Sequence, residues 1–176
     1  YRHMKYYFVL FIIIILVSCT NNPKKESNKV DAVSEKEAIQ TLLNNWHLNA
    51  SEANFDAYFN AMSDKSIFIG TDASENWNIE AFKNFSKPHF DKGKAWSFAA
   101  IDRNIYIDTE GNIAWFDELL DTWMGICRGS GVLKKTDNYW KIEHYVLSLT
   151  TPNDNIEAIK SINTKYDSIF LKKLKK

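Results

Sequence analysis

Three patterns of apolar residues follow one another along this chain. An apolar run of 12 residues, Tyr6 to Val17, comes first; helical spacing holds from Ile39 to Phe90, and strand-like runs from Trp96 to Leu149. Ser34-Glu35-Lys36-Glu37 has the form of a capping box, with Ser34 accepting from the amide of Glu37. Ile39, Leu42, Leu43 and Trp46 repeat behind it on one helical face. Ser51 is predicted to cap a second helix whose stripe is Phe55, Tyr58, Phe59 and Met62. Ser66 to Gly70 reads as a short strand and Thr71 to Asn76 as a polar turn. Asn78 opens a third helix with Ile79, Phe82 and either Phe85 or Phe90 inward, and Pro88 makes its end irregular.

Four long β-type runs follow: Trp96 to Ile107, Ile113 to Leu120, Met124 to Lys135 and Tyr139 to Leu149. Glu110-Gly111-Asn112 and Thr136-Asp137-Asn138 are tight-turn sequences, so neighbouring runs are predicted to pair as antiparallel hairpins. Asp102-Arg103-Asn104 breaks the first run and predicts a bulge. Pro152 ends the last strand. Ile156, Ile159, Tyr166 and Phe170 then return to helical spacing, with Lys172 to Lys176 suited to a helix C-terminus. Helices followed by an antiparallel run predict an α+β domain over 34–151, a curved sheet wrapped round helices, with an extra C-terminal helix over 152–176.

Composition changes this picture at the N-terminal end. The chain is formally neutral, with 22 basic and 22 acidic residues, and its C-terminal lysine cluster is too local to point to nucleic acid. The 12 apolar residues are short for a membrane span, which needs about 20, and suit the core of a signal peptide. With Lys5 before them and Leu16-Val17-Ser18-Cys19 at their end, they resemble the lipobox of a bacterial lipoprotein signal peptide. That resemblance implies lipid on Cys19, a lipid-anchored place in the cell envelope on the periplasmic or surface side, and 1–18 as signal peptide with Tyr1-Arg2-His3 as an upstream extension. An uncleaved anchor is the alternative. Residues 19–33 lack apolar content and are expected to form the lipidated cysteine's disordered tether. Cys127 has no intrachain partner and is expected to be a buried small hydrophobe.

The order of elements resembles the nuclear transport factor 2-like fold, and within it the SnoaL-like branch. Phe55-Asp56-Ala57-Tyr58-Phe59, Ile67 to Asp72, Ala114-Trp115-Phe116, Arg128 to Leu133 and Trp140 to Ser148 carry the resemblance. It implies a cone with an internal pocket and a homodimer formed through the sheet. It leaves activity open, because the superfamily includes isomerases, cyclases, dehydratases and association domains.

Strand alternation places Trp140, Ile142, His144, Val146 and Ser148 on one face, predicted to be the interior, with Lys141, Glu143 and Tyr145 opposite. His144 is then either an acid or base near neutral pH or a histidine satisfied by one buried hydrogen bond. Ser148 is a polar contact, with no motif to make it a nucleophile. Asp117 and Glu118 must point to opposite faces, and their apolar neighbours leave open which one enters the cone. An inward carboxylate could act as a proton-abstracting base or be held in an ion pair with Arg128 or Arg103. Arg128 could instead bind an anionic ligand. Gly129 and Gly131 share one open face, filled by packing or by a ligand.

Trp77 in a polar loop and Trp96 at a strand start are candidate pocket-rim residues, and Tyr58 a candidate ligand contact. His47, His89 and His144 match no zinc spacing, and no phosphate or dinucleotide motif occurs, so no metal or cofactor is expected. The leading reading is a membrane-tethered domain that binds a small, partly apolar molecule, with Asp117 or Glu118, Arg128 and His144 as polar contacts. A cofactor-free isomerase or dehydratase is the alternative, and a homodimeric interaction module the third.

Overall fold

The computed structural model describes residues 31–175. The lipobox, Cys19 and most of the tether lie outside the described residues. Among those described, no helix is long and apolar enough to cross a membrane.

Helix α1 (Ala32–Ser51) starts earlier than the capping box implies, because Asp31 rather than Ser34 is the cap and accepts from the Ser34 amide at 3.3 Å. Ile39, Leu43, His47 and Ala50 face the core with Trp46. Glu35 ties the helix to the sheet, accepting from Lys135 and, at 2.7 Å, from the Trp140 indole. The chain turns at Ala53, which sits at φ 56°, into α2 (Phe55–Asn60). Asn54, not Ser51, caps α2 through the Ala57 amide, and Ser51 bonds back to the Leu48 carbonyl inside α1. β1 (Met62–Ile69) begins four residues before the predicted strand, so Met62 belongs to it. β2 (Asn76–Asn78) begins at the last residue of the predicted turn, and α3 (Ile79–Phe90) is capped by Asn78 as expected. Phe90 is the inward aromatic of its last turn; Phe85 stays half-exposed against Trp77.

β3 (Ala99–Ile107), β4 (Ile113–Thr122), β5 (Gly125–Thr136) and β6 (Tyr139–Leu149) form the antiparallel run. Asp137 and Asn138 both take positive φ, the geometry that a two-residue hairpin requires. The sheet order is β2-β1-β6-β5-β4-β3, antiparallel except where β1 joins β6 in parallel. A 3-10 turn (Asn153–Asn155) leads to α4 (Ile156–Leu174), which is exposed along nearly all its length and packs mainly on that turn. α1 lies against β3 and β6, and α3 against β1 and β2, closing one side of the curved sheet.

Two bulges decide which side chains enter the core. In β3 the register shifts at Ile101, next to the predicted break. In β6, Val132 pairs with His144 but Leu133 with Ile142, leaving Glu143 as the extra residue. One extra residue exchanges the faces of everything beyond it. Trp140 and Ile142 point inward, and so do Tyr145 and Leu147. His144 and Ser148 therefore lie on the outer face, against the expectation from simple alternation.

Candidate functional site

The interior of the cone holds two distinct zones. The first is a buried charge cluster around Glu118, the member of the Asp117–Glu118 pair that enters. Its Oε1 accepts from His47 Nε2 at 2.9 Å and from the Tyr145 hydroxyl at 3.0 Å. Its Oε2 faces Arg103, 2.8 Å from Nε and 2.7 Å from the second guanidinium nitrogen. An ionised carboxylate only accepts, so His47 carries its proton on Nε2. Burial alone would raise the Glu118 pKa. The His47 hydrogen bond and charge, followed by Arg103, outweigh it and hold the carboxyl below the usual glutamate value. Burial also drives the Tyr145 phenol well up, as do the charge and hydrogen bond of Glu118, so it stays a donor. Every oxygen of Glu118 is occupied, and its side chain has no exposed surface.

Strand pairing builds this cluster. Glu118 sits opposite Arg103 on β3 and Gly129 on β5. A Cβ on Gly129 would collide with the Tyr145 hydroxyl and lie 2.9 Å from Glu118 Oε1; one on Gly131 would lie 2.6 Å from the His144 carbonyl. The open glycine face is thus filled by Tyr145, Glu118 and Phe116, which is packing and not a ligand. His47 and Tyr145 were missed as members. His47 carried a readable signal, since it lies four residues after Leu43 on the α1 stripe; Tyr145 carried none, because its face depends on the Glu143 bulge.

The second zone is an aromatic cleft of about 370 Å³ at the end of the cone beside the β1–β2 and β4–β5 turns. Trp77, Phe82, Phe85, Trp96, Phe98 and Trp123 supply its rings. Phe68, Gly70, Thr71, Glu75, His89, Ala95, Met124 and Leu147 complete its lining. Volume and apolar lining with few polar groups are those of a ligand cleft. A larger depression of about 1120 Å³ is a groove of mixed polar and apolar lining beside α2 and the β5–β6 turn, and none of the candidate residues lines it. Aromatic rings separate the two zones: Phe68 lies between the cleft and Tyr145, 5.5 Å from the phenol ring, and Phe98 lies 6.2 Å from His47.

The candidate residues divide accordingly. Trp77 and Trp96 both line the cleft. Tyr58 is fully buried beneath it, stacked on Trp46 and 5.5 Å from Trp96, with burial raising its pKa well above the ordinary value. Asp117 and Arg128 are partly exposed on the outer face and only 3.9 Å apart at nearest approach. His144 sits on that same outer face, opposite Val132 and Ile67, and Ser148 is exposed across from Arg128. The structure thus brings Glu118 to Arg103 and Trp77 to Trp96, and leaves Asp117, Arg128, His144 and Ser148 outside the interior. Cys127 is buried, 3.5 Å from the Thr122 hydroxyl.

This architecture is the nuclear transport factor 2-like cone. The SnoaL-like domain family matches residues 39–152, and the chain belongs to it. No curated protein matches it. Among solved structures it is similar to a nuclear transport factor 2-like protein of unknown function from Pseudomonas putida, at 12% identity, TM-score 0.58, covering 71% of this chain and 92% of that one. A putative aromatic ring hydroxylase from Novosphingobium aromaticivorans is similar at 14% identity and TM-score 0.58, covering 68% and 92%. So is a protein of unknown function from Mycobacterium tuberculosis, at 15% identity and TM-score 0.57, covering 71% and 77%. These likenesses describe the fold.

Proposed function

We propose that this protein binds a small, mainly apolar molecule in the aromatic cleft, and that the Glu118 cluster is a buried structural anchor separate from it. The observation that carries this reading is the cleft itself, about 370 Å³ walled by rings with the Glu118 oxygens fully occupied elsewhere. A base for isomerisation needs a free carboxylate or imidazole facing the cavity beside an oxyanion donor. Glu118 and His47 bond each other and His144 faces outward, so none of these can serve as the base; Glu75 and His89 do line the cleft, and it is the mainly apolar lining that favours binding over proton transfer. Titration with the neutral apolar dye N-phenyl-1-naphthylamine tests the cleft. One saturable site that quenches tryptophan emission is expected, with Trp96→Ala weakening it about tenfold through loss of a buried aromatic wall. Partitioning without saturation would sink the reading.

The lipobox resemblance supports a place for this binding at a membrane. Cys19→Ser is expected to move the protein from the membrane fraction to the soluble one, and an unchanged distribution would remove lipidation from the account.

A second reading concerns the outer face of the sheet. Tyr106, Trp115, Val132, His144 and Ile67 stand in register across five strands, a row apolar except for His144, with Trp115 47% exposed. Such a row is a site for a second copy of the chain. Light scattering should report a dimer that Trp115→Glu converts to a monomer; a monomeric parent chain would contradict this.

A further inference from the structure

We infer that the cleft selects organic cations, with a substituted ammonium group held against its rings and the Glu75 carboxylate. This rests on the cleft being a binding site and names the class of ligand. Glu75 is the one carboxylate on the lining, and neither lysine nor arginine lines the cleft. Its Oε2 accepts from the Asp72 amide at 3.1 Å. Among the described residues Oε1 has no hydrogen-bond partner, and no cation pairs with Glu75. A lone carboxylate on an apolar wall leaves the cleft negative, and low-dielectric walls focus that field.

The rings act in the same direction. Aromatic faces carry negative charge density and attract cations, most strongly where water is excluded. Trp123 is 81% exposed and stacks on no other ring among the described residues, so its faces are free. Trp77 stacks on Phe85 at 4.4 Å and lines the cleft together with Glu75. His89 is the only other titratable side chain on the lining. A quaternary ammonium has no N–H to donate and needs only a counter-charge, and this wall offers few hydrogen-bond acceptors. An anionic apolar molecule such as a fatty acid would meet Glu75 without a compensating cation.

Displacement of N-phenyl-1-naphthylamine at pH 8 by benzyltrimethylammonium and by its uncharged carbon isostere, neopentylbenzene, tests this. The cation should bind on the order of tenfold more tightly than the isostere. Glu75→Gln should remove most of that preference, read as the ratio of cation to isostere affinity within the same variant, and saturable dye binding by the variant shows that it is folded. If dye binds but the cation binds no better than the isostere, or the preference survives Glu75→Gln, the inference is overturned and the cleft reading stands. If the dye itself fails to bind, the cleft reading fails first.

Discussion

Replacing Glu118 with alanine is expected to lower the free energy of unfolding by about 3–5 kcal/mol, the usual cost of removing one partner from a buried ion pair. The size follows from what is left behind. The Arg103 side chain is 2% exposed, so its charge would remain in the core without the carboxylate that justifies it. His47 and Tyr145 would lose an acceptor at the same time. Charge-balanced replacement, Arg103→Met with Glu118→Gln, should recover part of the loss, because it removes the orphaned guanidinium and keeps an acceptor for Tyr145. Urea unfolding of the parent, the single variant and the double variant measures this. A loss below about 1 kcal/mol, the range of surface pairs, would mean that the cluster is not a structural anchor.

The same group sets an acid dependence. The folded-state pKa of Glu118 lies below its reference value of 4.5. Its contribution is therefore complete above pH 4.5 and is lost as pH falls through the folded value. The parent chain should lose stability below pH 4.5 more steeply than Glu118→Gln does.

The second large effect is expected at Gly129. Alanine there would overlap the Tyr145 hydroxyl and press on Glu118, both immobilised by the cluster. Overpacking costs about 1–3 kcal/mol, and displacing Tyr145 from a charged acceptor adds about 1.5–3 kcal/mol. A total near 3 kcal/mol or more is expected. Combining Gly129→Ala with Tyr145→Phe should cost less than the sum of the two, since the phenylalanine has no hydroxyl to be displaced. Additive losses in a double-mutant cycle would show that the glycine is needed for some other reason.

Much of this organisation was legible in the residues. Helical stripes, strand runs and the Asp137-Asn138 turn gave the α+β order, because each depends on local period and turn chemistry. The Trp77 and Trp96 reading rested on a simple argument: a large ring in a polar loop, or at a strand start, is hard to place in a core. It led to the cleft. Face assignments in β6 were not legible. Strict alternation put His144 inside and Tyr145 outside, and the single unpaired residue Glu143 reversed both. No local feature of Lys141-Ile142-Glu143-His144 marks a bulge; it arises where β6 meets β1 in parallel and β5 antiparallel, a long-range constraint. The choice between Asp117 and Glu118 was open for a related reason. Both faces of β4 carry apolar residues, and only the position of Arg103 and His47 in space separates them.

One measurement decides between the two interior zones as the place of function. N-phenyl-1-naphthylamine affinity is to be compared in the parent chain, in Trp96→Ala and in the charge-balanced Arg103→Met/Glu118→Gln protein, at a temperature where circular dichroism shows all three folded. The cleft account predicts affinity about tenfold weaker in Trp96→Ala and unchanged in the charge-balanced protein. Affinity preserved in Trp96→Ala but lost in the Glu118 variant would contradict it and return function to the buried cluster.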